Sequence, residues 1–351
     1  FEVTSLLFLG HIILTHTKIG RCTLMKNCII LTSLAFLILT ALPLGLLRAA
    51  PKETSDESLA AEETLESAKN DEAAINVFLS GDKKTVSLSL FEYTCGSVAA
   101  EMPITYEDEA LKAQAVACIT NALRLKDTGG FDVDGADISD DTSTHQGYMS
   151  LNERKEKWGD SFEKYEEKLE KAVKAVEGKA LYYDGKLCIA AFCAISTGTT
   201  ETAENVWGSA VPYLVSVKSS GDALSPSYSV TAQYSLSQTK ECLEKLGLKT
   251  DGLNDLSDIF SDIKKSSAGT VLNIKAGEKE FTGEDLREAF SLKSAAFDVK
   301  CSNDSVTFTT YGYGHGVGMS QYGADSMAKR GFDYEEILKH YYKGAAVKEI
   351  K

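Results

Sequence analysis

Residues 106–126 constrain this chain more than any other stretch. Leu111, Ala115, Cys118, Ala122 and Leu125 recur at helical spacing and make one apolar face. Most of those side chains are small, so whatever packs on the face must approach very closely. Thr105 and Asp108 stand at the spacing of a capping box. Pro103 removes a backbone donor just ahead of the helix, and Gly129-Gly130 ends it. Upstream, Ser87 to Tyr93 alternates polar and apolar residues and then runs into small ones, the pattern of a strand or extended lead-in.

On this reading Glu101 sits just before the positive end of a buried helix. The helix dipole favours its carboxylate. Burial among Val98, Ala99, Ala100 and Met102 favours the neutral acid. A carboxyl kept protonated at neutral pH is what a general acid needs. A carboxylate satisfying free N–H groups at a helix start is the structural alternative.

Three motifs in fixed order carry a family resemblance. Glu101-Met102-Pro103 leads to Leu111-Lys-Ala-Gln-Ala-Val-Ala117, then comes Trp207-Gly208, then Gly314-His-Gly-Val-Gly-Met-Ser-Gln-Tyr-Gly-Ala324. Through them the chain resembles the SpoIID/LytB family over about residues 73–345. The resemblance implies a lytic transglycosylase that cuts peptidoglycan glycan strands between N-acetylmuramic acid and N-acetylglucosamine. Glu101 would be the acid/base, the product a 1,6-anhydro sugar, and the setting septal wall thinning and engulfment in sporulation. The mechanism it implies requires no cofactor and no metal. The expected partners are glycan strands, preferably peptide-free, a peptidoglycan amidase and a membrane protein of the engulfment complex.

The chain departs from the family pattern at three places. Ile119 stands where the family usually has an arginine. Ala194-Ile-Ser-Thr-Gly198 replaces a run that begins with histidine, and Tyr311 and Tyr313 occupy positions that commonly hold arginine and tryptophan. Arg124 falls on a different helix face from position 119 and is not expected to stand in for the arginine. Two alternatives follow: a glycan-binding scaffold of the same fold that recruits or activates an amidase, and a zinc-dependent hydrolase.

The fold class expected is α+β, with a mixed sheet and helices around a glycan cleft and a smaller inserted lobe. Residues 73–231 and 301–351 would form the catalytic domain and 232–300 the lobe. Candidate substrate contacts are Gln114, Gln146, Tyr148, Ser196, Trp207, His315, Gln321 and Tyr322. Gln146 and Tyr148 serve equally well as turn residues, and Trp207 either stacks on a sugar or anchors its loop. His315 either bonds substrate or Glu101, or is satisfied by backbone. The polar loop at 131–150 holds His145 but lacks the further ligands that zinc requires. It also lacks the EF-hand spacing.

The net charge of −14 bears on both partner and compartment. Lys18, Arg21, Lys26 and Arg48 against Glu2 put the first 50 residues at +3, so the remainder carries −17. Such a domain lacks the basic surface that nucleic acid needs. Residues 29–47 are almost wholly apolar, long enough to span a bilayer. The preceding cations place the later residues outside the cell membrane, in an anchor or signal segment at 25–48. Residues 1–24 read as an upstream extension and 49–72 as an acidic tether. Of eight cysteines, six follow the apolar segment, with no Cys-x-x-Cys pair, and read as buried free thiols.

Overall fold

The computed structural model describes residues 74–131 and 133–350. The extension, anchor and tether expected before residue 73 lie outside them. The described residues fall in one compact unit, 64–351. They form an α+β fold of several small sheets and helices. No described helix is long and apolar enough to cross a membrane.

Strands β1 (Ile75–Leu79) and β2 (Lys84–Leu88) pair antiparallel. The extended lead-in then fails: residues 90–101 are helix α1 (Leu90–Glu101). Ser89 Oγ accepts from the Glu92 N–H at 3.2 Å, and the Glu92 carboxylate accepts from the Ser89 N–H at 3.2 Å. That reciprocal cap outweighs the alternation, which stops at Leu88.

Helix α2 (Asp108–Asp127) is the scaffold expected, buried on nearly every side from Ala110 to Ala122. It packs against α1 and, further along the chain, against several other helices and strands. The Thr105–Asp108 box does not form. Glu107 is the N-cap without a side-chain bond, and its N–H donates to Asp325 Oδ1 at 2.8 Å. A distant residue thus satisfies a donor that a local cap would have taken.

The 131–150 loop contains β3 (Ile138–Ser139), which runs parallel to β1 on the side away from β2. Helices α3 (Leu151–Trp158) and α4 (Phe162–Lys174) are joined by a single 3₁₀ turn. Arg154 locks them together through a buried two-bond pair with Glu166, at 2.9 and 2.6 Å. The two-residue turn Asp184-Gly185, at φ 48° and 75°, joins β4 (Lys179–Tyr183) to β5 (Lys186–Leu187). Next come β6 (Phe192–Cys193), α5 (Ala203–Trp207), β7 (Ser229–Ser235) and α6 (Leu236–Lys245).

Strands β8 (Phe260–Lys265), β9 (Val271–Ala276) and β10 (Lys279–Phe281) form an antiparallel sheet, followed by α7 (Gly283–Ala289). β11 (Phe297–Cys301) and β12 (Ser305–Tyr311) form a hairpin, and β12 also pairs with β7. Phe260, Phe290, Phe297 and Phe308 stack edge to face in a hydrophobic cluster separate from the one around α2. That cluster takes in Val306 and Phe308. The boundary drawn at residue 300 therefore cuts through a hairpin, because β12 serves both the 232–300 segment and the glycine block that follows.

The glycine block ends in β13 (Met319–Ser320), parallel to β6, and opens α8 (Gln321–Ala328). α9 (Tyr334–Tyr341) and β14 (Ala346–Glu349), which pairs with β4, complete the chain. Helix α8 thus follows directly on the β13 pairing. Gly318 makes the β13–β6 pairing possible: its φ is 77°, and a Cβ there would lie 2.0 Å from the Ala191 carbonyl oxygen. Gly318→Ala is expected to destabilise the fold by roughly 2–3 kcal/mol in urea unfolding, from left-handed strain plus displaced backbone. Unchanged stability would mean the glycine is dispensable there.

Candidate active site

Glu101 is the last residue of α1, at the negative end of that helix rather than before the positive end of α2. The dipole argument therefore reverses, and both dipole and burial now favour the neutral acid. Burial raises the Glu101 carboxyl above its usual range, opposed by one bond from the Gly147 N–H. That N–H donates to Oε1. Among the described residues Oε2 has no hydrogen-bond partner.

The loop that brings Gly147 to the carboxyl is clamped along α1. Ser97 Oγ donates to the Gly147 carbonyl at 2.9 Å, and the Met149 N–H donates to the Gly96 carbonyl at 3.1 Å. Tyr148 lies in the notch that Gly96 leaves, where an added Cβ would stand 2.2 Å from its ring. Its ring stacks on Tyr93 with planes 3° apart. Gly147 itself is tightly enclosed: a Cβ would stand 3.1 Å from Ala100 Cβ and 3.2 Å from Glu101 Oε1. Small residues of α1 itself, Gly96 and Ser97, thus seat the loop.

Gln146, beside Gly147, is buried. Its Nε2 donates to Tyr93 Oη at 2.7 Å and to the Cys118 carbonyl at 3.0 Å. Its Oε1 accepts from Asn121 Nδ2 at 3.3 Å. Gln146 also lines a cavity of about 190 Å³ with Asn121, Arg124, His145, Trp207 and His315. Trp207 is 44% exposed and lies 5.6 Å from the His315 ring. Thus Gln146, Trp207 and His315 come together on one cavity, and residues 146–147 join it to the Glu101 carboxyl.

His315 makes no hydrogen bond to Glu101. Its Nδ1 accepts from the Val317 N–H at 3.0 Å, so the neutral ring carries its proton on Nε2. Burial, helped by nearby Arg287, pushes its pKa down to about 4, against the pull of the Phe192 carbonyl. The unfolded ring protonates near 6.5 and the folded ring near 4. Acidification through that window therefore favours the unfolded chain, and stability falls as pH drops. Nuclear magnetic resonance should find the His315 ring unshifted from neutrality down to about pH 5. An ordinary titration would contradict the buried, neutral assignment.

The remaining expected contacts lie elsewhere. Gln114 is fully buried, with Nε2 3.4 Å from Cys118 Sγ, and its Oε1 accepts from buried Gln321 at 3.3 Å. These two amides tie α2 to α8 in the interior, where a glycan does not reach them. Ser196 is also interior: its N–H and Oγ both donate to Asp222. Tyr322 donates to the Leu224 carbonyl at 3.3 Å and packs edge-on against Tyr106. Ile119 is buried in the core. The described cysteines are all free thiols, five of them buried.

Sequence reasoning missed Gly147, Asn121 and Asp222. Asp222 is fully buried and also accepts from Ser320 Oγ at 2.7 Å, so it joins the 196–198 turn to β13. Burial raises its pKa against the pull of those hydroxyls. Gly221-Asp222 carries no motif that would have singled it out. Among the described residues no cluster of three metal-ligating side chains is present.

Comparison with known proteins places this geometry in a family. A family profile described as stage II sporulation protein matches residues 80–183. "Stage II sporulation protein D" of Bacillus subtilis (strain 168) is 38% identical over 299 residues, 85% of each chain. Its counterpart in Bacillus amyloliquefaciens is 38% identical over 298 residues, 84% of each. A Bacillus subtilis protein named "Amidase enhancer" is 29% identical over 300 residues, 72% of this chain but 40% of that one.

Proposed function

Because the chain belongs to the stage II sporulation protein D family, we propose that it is a lytic transglycosylase acting on peptidoglycan strands, with Glu101 as acid and base. One observation carries the reading: a half-buried carboxyl raised by burial, with one oxygen fixed by the Gly147 N–H and the other left unpartnered among the described residues. Neutral Glu101 gives its proton to the oxygen bridging N-acetylmuramic acid and N-acetylglucosamine. The C1–O bond breaks, and positive charge develops at C1. The carboxylate then takes the proton of the C6 hydroxyl as O6 bonds to C1. The acid is regenerated, and no water is consumed.

The Gly147 N–H suits both halves of the cycle. It bonds the carbonyl oxygen of the neutral acid and strengthens when the carboxylate forms. Raising the pKa by burial keeps the acid loaded at neutral pH, while the N–H limits the cost of ionising it. The apolar run at 29–47 supports membrane attachment with the domain outside. The family supports a role in sporulation, and engulfment through wall thinning is the role we assign.

The test is digestion of peptide-free glycan strands followed by mass spectrometry of the products. Anhydro-ended fragments are expected. Reducing-end fragments that incorporate solvent oxygen would mean hydrolysis and sink the proposed chemistry. A second reading draws on the relative named "Amidase enhancer": the chain binds strands and stimulates a peptidoglycan amidase. Amidase stimulation with no anhydro product would favour that reading.

A further inference from the structure

The cavity beside the candidate acid holds one fixed charge. Arg124 lines it, and its Nε is buried with no hydrogen-bond partner. Among the described residues it makes no ion pair. No acidic residue and no lysine lines the cavity. The two lining histidines are both held below their usual range by burial, so at neutral pH they leave Arg124 as the sole charge. Burial weakens the guanidinium's hold on its proton, the sign of a cation missing its counter-charge. In a domain of strong net negative charge, an unpaired arginine walled by neutral groups is an unusual use of a scarce cation.

What would complete it is an anion, and the other walls narrow its kind. Trp207 is 44% exposed and presents an aromatic face on the same cavity. Sugar rings stack on such faces through their apolar C–H sides. Asn121 and His315 make the neighbouring walls neutral, Asn121 bonded to Gln146 and Ala190 and His315 to Val317. The volume of about 190 Å³ suits one ring rather than a long ligand. The geometry points to a subsite for a single carboxylate-bearing sugar, with Arg124 pairing the carboxylate and Trp207 carrying the ring.

This rests on the reading of the chain as a glycan-strand enzyme and specifies which sugar the site reads. In a peptidoglycan strand the carboxylate belongs to the lactyl ether of N-acetylmuramic acid. A stem peptide consumes it as an amide. The free anion exists only after the peptide is removed, so Arg124 would be the residue that distinguishes denuded strands from peptide-bearing ones. The two faces of helix α2 explain how this fits a chain with isoleucine at 119. Arg124 reaches a cavity, whereas Ile119 is buried in the core.

The experiment uses the full chain in mild detergent with Glu101→Gln, so that strands are bound and not consumed. Calorimetry compares a peptide-free glycan oligosaccharide, the same oligosaccharide with its carboxyls reduced to alcohols, and an N-acetylglucosamine oligomer. A preference of about 10-fold for the carboxylate form is expected, since charge-assisted bonds are among the stronger ones. Adding Arg124→Gln should erase the preference and leave the reduced glycan's affinity unchanged. Arg124→Lys should keep part of it, a result that a purely structural role would not give. Equal binding of both forms, or a preference surviving Arg124→Gln, overturns the subsite while the glycan reading stands. Binding of none of the three overturns both together.

Discussion

Glu101→Gln is expected to lower strand cleavage by about 10²–10⁴-fold, the usual contribution of a positioned general acid or base. The fold should survive. Gln has the shape of Glu, and its Oε1 can still accept the Gly147 N–H that Glu101 Oε1 accepts. What it loses is a proton to give and a lone pair basic enough to recover one. The pH profile offers an independent check. The folded carboxyl lies above its ordinary 4.5. Cleavage should therefore fall as pH rises through that raised value, because the acid is then already spent. The same shift has a stability consequence. Between 4.5 and the folded value the native state holds a proton that the unfolded state has lost, so wild-type stability declines relative to Glu101→Gln as pH rises through this window. Cleavage retained in the Gln variant would remove Glu101 from the chemistry.

Asp222→Ala is expected to cost about 3–5 kcal/mol of stability in thermal or urea unfolding. The side chain is fully buried and accepts from the Ser196 N–H at 3.0 Å, from Ser196 Oγ and from Ser320 Oγ at 2.7 Å. Removing it orphans these donors inside the protein, at roughly 1–3 kcal/mol for each that water cannot reach. Asp222→Asn should fall between wild type and Ala, because one carbonyl oxygen remains and the hydroxyls can rotate to accept from the new amide. A loss below about 1 kcal/mol for Ala would show that water replaces the carboxylate and that Asp222 is no hub.

Glu101 was legible in the sequence only in part. Its chemical type and its place beside a close-packed helix were legible, because Glu-Met-Pro and the small-residue face lie within one short stretch. The end of the helix it occupies was not. The alternation before it looked extended, yet Ser89 and Glu92 stand at capping-box spacing, and that local signal decides the structure. Read for the cap, the sequence would have put α1 where it is. The reverse happened at Thr105 and Asp108, where the spacing was right but Asp325 holds the helix start instead. A capping motif states a local option, and a partner more than 200 positions away can override it.

The expected contacts divide for the same reason. Trp207, His315 and Gln146 meet on one cavity although they come from three separate parts of the chain. Gln114 and Gln321, which belong to recognisable motifs, pair with each other in the interior. A motif shows that residues belong together but not whether they face solvent or the core. Arg124 shows the limit most plainly. Helical periodicity separated it correctly from position 119, yet could not show that its own face borders a cavity.

The sequence by itself determined the buried run of α2 and the free thiols. These depend on side-chain pattern within a few residues. Only the tertiary structure decided what Glu101 bonds, where Arg124 points and what Asp222 joins. Those outcomes depend on which distant backbone N–H, hydroxyl or empty volume is brought alongside, and burial then sets each charge.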